Sequence, residues 1–265
     1  MQVIVLGKSP SWQDAAGACS GYLVRQGDLK LLLDCGNGVF SKLRSTVDYR
    51  SIDEVLISHL HADHFLDLIP FSYGLANAAR TGRPSNGSGG TGGPGAARAR
   101  PSLRVPAGGH EMLRRIVGSW GSEELIDDAF EITEYAPDDE LQLGPLHVRF
   151  REVPHFVRSH AVELETGGAR FVFGADCAPN QALVEFASDA DLLMVEATLP
   201  EPEPGPDRGH MTPREAGEHG AAARARRLVL THYSDEMDQS WAAAEAAQSY
   251  GGAVELAHEA AVYEV

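Results

Sequence analysis

The chain has no apolar run approaching the roughly 20 residues that a bilayer-spanning helix needs, so no membrane segment is expected. Cysteine is scarce: Cys19, Cys35 and Cys177 have neither C-x-x-C nor zinc-finger spacing, which excludes a disulfide framework and a thiolate metal cage. Positive charge is also in short supply. Lys and Arg total 22 against 38 Asp and Glu, for a formal charge of −16 and a pI near 5.0. Such a surface repels nucleic acid and anionic membrane at long range, and an anionic substrate has to be drawn in locally. Met1 to Gly7 carries no basic leader and reads as a first strand rather than a secretory signal, so a cytoplasmic setting is expected. At 265 residues, one large α/β domain over 1–265 is expected.

Short β-type runs lie at Val3 to Leu6, Tyr22 to Arg25 and Lys30 to Leu33, separated by polar and glycine turns. A further strand, Glu54 to Ser58, runs directly into His59-Leu60-His61-Ala62-Asp63-His64. After mixed helical spacing from Phe65 to Ala79 comes a Gly/Ser/Arg-rich stretch at about 81–101, whose composition predicts a flexible surface loop. Strands and helices then alternate. Strands are predicted near Ser102 to Pro106, Phe130 to Glu134, Leu146 to Val153, Ala161 to Glu165, Phe171 to Phe173, Leu192 to Glu196 and Arg227 to Thr231. Helices are predicted near His110 to Gly118, Gln181 to Ala187, Pro213 to Ala223 and Trp241 to Ser249. Strand-rich stretches closed by helices in both halves predict two packed sheets with helices outside, without an internal sequence repeat.

The chemistry concentrates at predicted strand ends. His59 and His61, two residues apart, would share a face of an extended chain, and Asp63 and His64 would turn in a loop toward a second metal. Borderline-soft Zn²⁺ takes imidazole nitrogen and carboxylate oxygen and keeps a position for water at catalytic sites. His155, Asp176 and His232 follow three further strands. His147 and His160 flank His155 and compete with it for the same role.

His-x-His-x-Asp-His followed by a later His, Asp and His resembles the metallo-β-lactamase superfamily, whose fold is a four-layer αββα sandwich with metals at one sheet edge. That resemblance implies two Zn²⁺ per chain, with Mn²⁺ or Fe²⁺ as substitutes. His59, His61 and His155 would hold one ion, Asp63, His64 and His232 the other, and Asp176 would bridge them. Gly17 to Val24, Leu33 to Gly38, Glu196-Ala197-Thr198 and His210-Met211-Thr212 resemble the RNase Z-like and cyclic-nucleotide phosphodiesterase branch. By that resemblance Asp63 is catalytic as well as a ligand, His210 is a general acid and Glu196 orients it. Two divalent cations, less the charges of Asp63, Asp176 and a bridging hydroxide, leave a positive centre suited to a phosphodiester, which the hydroxide would attack in line.

The substrate expected from this resemblance is a small anionic phosphodiester, a 3′,5′-cyclic nucleotide above all. The RNase Z arm that grips tRNA has no room in the twenty residues between His155 and Asp176, and Phe156 to Ala161 departs from the RNase Z pattern. Both features, with the acidic charge, argue against tRNA. Arg158, Ser159 and His160 are candidates to contact phosphate or base. The alternatives are an RNase Z-type endonuclease, a lactonase or thioesterase of the same fold, and a non-catalytic pseudo-hydrolase subunit. Dimerisation is common in the branch, and a homodimer remains open because no interface signature decides it.

Overall fold

The structure, a computed structural model, describes residues 1–81 and 100–265. The loop predicted at about 81–101 lies almost wholly outside the described residues. Chain order runs β1 (Gln2–Gly7), β2 (Gly21–Gln26), β3 (Leu29–Leu33), α1 (Val39–Thr46), β4 (Glu54–Leu56), α2 (Ala62–Phe65), α3 (Leu68–Thr81), β5 (Ser102–Pro106), α4 (Gly109–Gly118), α5 (Leu125–Ala129) and β6 (Glu131–Tyr135). It continues through β7 (Glu140–Leu143), β8 (Leu146–Val153), β9 (Ser159–Thr166), β10 (Ala169–Phe173), α6 (Gln181–Phe186), β11 (Leu192–Glu196), α7 (Pro213–Ala222), β12 (Leu228–Thr231), α8 (Gln239–Tyr250), β13 (Val254–Leu256) and β14 (Val262–Glu264).

Two seven-stranded sheets result, ordered β14-β1-β2-β3-β4-β5-β6 and β13-β12-β11-β10-β9-β8-β7. Each contains an antiparallel meander followed by parallel strands. In the first, β1 to β3 are antiparallel and β3 to β6 parallel; in the second, β8 to β10 are antiparallel and β10 to β13 parallel. The halves therefore repeat in topology although the sequence shows no repeat.

Strand alternation explains the layering. Val3 and Val5 face the core between the sheets, with Leu31, Leu33, Phe171, Phe173, Leu192 and Met194, whereas Ile4, Leu6 and Leu32 face Val39, Leu43, Leu68 and Phe71 of α1 and α3. On the other sheet Leu193 and Val195 turn outward to Leu183, Ala216 and Ala246 of α6, α7 and α8. Both faces of the central strands are buried, so they read as continuous apolar runs. The αββα sandwich expected from the sequence is the fold observed. Among the described residues no helix is long and apolar enough to cross a membrane.

Several elements escaped the sequence reading. α1 and α5 are short, β13 and β14 have three residues each, and β7 alternates only over four, so none fills a window in which a period can be read. The more consequential difference is at β4, which ends at Leu56 rather than Ser58. His59 touches the opposite sheet through an isolated bridge to Ser159, His61 caps α2, and Asp63 and His64 lie within that helix. His59 and His61 nevertheless turn their rings into one donor group, as their two-residue spacing predicts, with His61 still extended at φ −84° and ψ 146°; it is Asp63 and His64 that a helical turn, rather than a loop, gathers.

One glycine locks this turn. At Gly36 an ideal Cβ would stand 1.8 Å from the carbonyl oxygen of Asp63, and Cys35 N–H donates to His64 O at 2.7 Å on the same contact. Gly36→Ala is expected to destabilise the protein by about 1–3 kcal/mol through overpacking, lowering its thermal midpoint by several degrees. A melting curve unchanged from wild type would show that the contact relaxes freely.

Candidate metal centre

The parallel strands of both sheets end at one rim, and the titratable residues collect just beyond their carboxyl ends, as ligand sites do in parallel sheets. β3 is followed by Asp34, β4 by Ser58 and His59, β10 by Asp176 and β12 by His232, while Glu196 closes β11. Asp34, Ala175 and His232 have φ of 57°, 53° and 52°, a left-handed backbone that non-glycine residues rarely adopt and that clusters at functional sites.

Two donor groups form. His59, His61 and His155 bring ligand-type atoms within 4.8 Å of one another, and Asp63, His64, Asp176 and His232 do the same. Asp176 Oδ2 lies between them, 3.3 Å from His64 Nε2, 3.3 Å from His232 Nε2 and 3.8 Å from His59 Nε2. His232 Nε2 is 3.1 Å from Asp63 Oδ2. His147 lies elsewhere, beside Glu140 on β8, and His160 is buried with Nδ1 3.3 Å from the Ser58 carbonyl.

The opposite nitrogen of most of these rings is fixed. His64 Nδ1–H donates to Asp34 Oδ2 at 2.8 Å, and His59 Nδ1–H to Ser58 Oγ at 3.1 Å, which in turn donates to Asp34 Oδ2 at 2.8 Å. His155 Nδ1–H donates to the Gly209 carbonyl at 2.8 Å, and His232 Nδ1–H to Thr198 Oγ1 at 2.8 Å. In each case Nε2 is left to face the cluster. Such outer partners set tautomer and ring orientation at metal sites.

The donor set fits a divalent cation. His59 Nε2 and His64 Nε2 are buried with no hydrogen-bond partner, an expensive state for polar atoms unless a ligand satisfies them. His155 Nε2 and His61 Nδ1 face each other at 2.9 Å. Burial lowers the proton affinity of His59 well below the imidazole range and takes His155 to about 4, so both present lone pairs at neutral pH. Burial works the same way on His64, but Asp176 and Asp34 outweigh it and hold its proton well above the usual range, marking a place where positive charge is favoured.

A second network serves His210. The Glu196 carboxylate, 1% exposed, accepts from Cys177 N–H at 2.8 Å, His210 Nδ1–H at 2.9 Å, Thr198 Oγ1–H at 2.5 Å and Met211 N–H at 3.2 Å. His210 thus sits at the rim, its ring centroid 5.0 Å from that of His155 and its Nδ1 4.0 Å from Asp176 Oδ2. Burial opposes a charged His210, yet Glu196 and then Asp176 prevail and raise it to about 9.

The sequence model of the Beta-lactamase superfamily domain matches residues 94–233, more than half the chain. The chain belongs to this superfamily of metal-dependent hydrolases. Residues 1–74, which contain the His59 to His64 motif, also match the model of the anti-Pycsar protein Apyc1. The hydrolase is 29% identical to the probable metallo-hydrolase YhfI of Bacillus subtilis over the whole of both chains. It is 31% identical to a ribonuclease Z of Myxococcus xanthus over 98% of this chain and 96% of that one. The crystal structure of YhfI superposes with a TM-score of 0.83 at 27% identity, over 99% of this chain and 98% of the other. Human tRNase Z, short form, does so at 0.75 with 22% identity over 100% and 99%, a likeness of fold.

Asp34, Ser58 and Thr198 were assigned no role from sequence. Asp34 is a lone acid behind an apolar strand, and only the meeting of β3 with the β4 loop reveals its partners. Two other expectations need correction. Ser159 and His160 are fully buried, Ser159 Oγ–H donating to the Asp176 carbonyl at 2.9 Å, so neither can contact substrate; of the three candidates only Arg158 is exposed.

Three donors converge on the two oxygens of Asp34, and an amide at that position would oppose one of them with its own N–H. Asp34→Asn is expected to weaken divalent-cation affinity by about 10–100-fold, the usual loss for an orienting partner. Competition with a chromophoric chelator measures this, and wild-type affinity in the variant would remove Asp34 from the site.

Proposed function

We propose that this hydrolase is a dinuclear phosphodiesterase that opens a small phosphodiester, above all a 3′,5′-cyclic nucleotide. The observation that carries the reading is His210: a rim imidazole held by the buried Glu196 carboxylate through one nitrogen, with its other nitrogen free to serve a departing oxygen. Hydrolysis of a phosphodiester with a poor alkoxide leaving group needs such a proton donor.

In this reading His59, His61 and His155 would hold one cation and Asp63, His64 and His232 the second, with Asp176 placed between the two groups. Zinc suits a set of imidazole and carboxylate donors, and Mn²⁺ or Fe²⁺ can replace it. When bound, two divalent cations supply Lewis acidity toward the phosphoryl oxygens and lower the pKa of water to about 7. The chain's own residues do the rest. Asp34 and Ser58 fix the rings of His64 and His59, Thr198 fixes His232, and Gly209 fixes His155. The Glu196 carboxylate stabilises the His210 imidazolium by accepting its Nδ1–H, and His210 delivers its Nε2 proton to the leaving alkoxide while keeping the Nδ1 proton. Thr198 joins the two functions, since it accepts from His232 and donates to Glu196.

The Myxococcus xanthus relative favours a second reading, tRNA 3′-processing. Against it, residues 156–175 form β9 and β10 around the Gly167-Gly168 turn, which leaves no length for a tRNA-gripping arm in that interval. A thioesterase expels a thiolate and would have little need of a proton donor held as His210 is, whereas a lactonase expels an alkoxide and is separated from this reading by assay on lactones.

Turnover of metal-reconstituted protein on 3′,5′-cyclic AMP and on a precursor tRNA with a 3′ trailer separates these readings. Ring opening without tRNA cleavage is expected; tRNA cleavage alone would overturn the ranking. His210→Ala is expected to retain its metal content and lose about 10²–10⁴-fold in rate on alkyl diesters, but far less on p-nitrophenyl diesters. Equal losses on both would deny the residue a proton-donor role.

A further inference from the structure

Phe156 stands beside the donor cluster without belonging to it. It follows His155 directly, and 57% of it is exposed, whereas each of the other phenylalanines is buried. Its ring centroid lies 5.2 Å from that of His155 and 6.0 Å from that of His210. An apolar ring left in water at the edge of a polar site forgoes burial that the rest of the chain uses throughout.

The ring is held rather than free. It lies on Gly209, where an ideal Cβ would stand 2.2 Å from Phe156 Cε2, so no larger residue fits there without moving the ring. Gly209 also accepts the His155 Nδ1 proton, and its own N–H donates to Glu203 Oε2 at 2.7 Å. The neighbouring Arg208 makes a two-pronged ion pair with Glu215 at 2.7 and 2.8 Å. Support for the ring and for one cluster histidine therefore comes from the same braced segment. Val157 and Arg158 continue the exposed rim, placing a guanidinium and further apolar surface alongside.

A donor cluster that would attract an anion once loaded with divalent cations, flanked by a fixed, open aromatic face, matches a bipartite ligand: a phosphate joined to a flat heterocycle. We propose that Phe156 is the stacking platform for the base of a nucleotide whose phosphate faces the cluster. This rests on the phosphodiesterase reading and specifies its substrate class. Every base presents a π-face, so the platform selects nucleotides over other phosphate esters without choosing strongly among bases.

Calorimetric titration of the metal-loaded protein with adenosine 5′-monophosphate and with ribose 5-phosphate tests it, because the two differ by the base. Wild type is expected to bind the nucleotide more tightly. Phe156→Ala and Phe156→Leu are expected to weaken nucleotide binding by about tenfold and leave ribose 5-phosphate unchanged, while Phe156→Tyr retains wild-type affinity. Equal weakening for both ligands would mean that the ring only props His155, and would overturn the proposal. So would unchanged nucleotide affinity, absence of any preference for the nucleotide in wild type, or a loss confined to Trp12→Ala, an exposed aromatic whose Nε1–H donates to Ser234 Oγ two residues beyond His232. Base preference without turnover of any diester would refute the phosphodiesterase reading and spare the platform; diester turnover without base preference would do the reverse.

Discussion

Everything at the rim depends on one constraint: imidazole lone pairs and carboxylates are packed against each other where water is largely excluded. Asp176, buried, has four histidine nitrogens at 4.0 Å or less, and two of those nitrogens, on His59 and His64, have no hydrogen-bond partner. Charge without compensation is costly in such surroundings, and proton positions alone do not resolve it, since His59 is driven neutral while His64 is driven cationic a short distance away. Divalent cations would satisfy both groups at once. The fold contributes by bringing the carboxyl ends of two parallel strand sets to one edge, so that each half supplies donors the other lacks.

The topological repeat extends to the orienting carboxylates. Asp34, after the third strand of the first half, gathers Ser58 and His64 directly and His59 through Ser58; Glu196, at the end of β11 in the second half, gathers Thr198, His210 and the backbone of Cys177 and Met211. The two differ in consequence. Asp34 is wholly enclosed and serves ring orientation alone, whereas Glu196 reaches the rim through His210, which remains partly exposed. Under the proposed mechanism the two buried acids, on separate sheets, would support ring orientation and proton delivery, with Thr198 linking Glu196 to His232.

The sandwich was legible because its central strands are apolar on both faces and their lengths suit the pattern being read. The donor motif was legible because His59, His61, Asp63 and His64 fall within six residues. Packing carries the remainder. His155 competes in sequence with His147 and His160, and only the turn after β8 sets it opposite His61 while β8 and β9 carry the others away. Asp34 has no local mark beyond following an apolar strand, and Phe156 reads as one more hydrophobic residue until Gly209 is seen beneath it. The setting of Asp63 and His64 was misread for a similar reason: α2 spans only Ala62–Phe65, too short for a helical period to be read, so the pair was expected in a loop.

The most direct test is the metal stoichiometry of chelator-stripped protein titrated with Zn²⁺ in a calorimeter. Two tight equivalents per chain are expected, with Asp176→Ala losing affinity at both because it touches both donor groups. One equivalent, or an Asp176→Ala variant that binds two as wild type does, would contradict a bridged dinuclear centre.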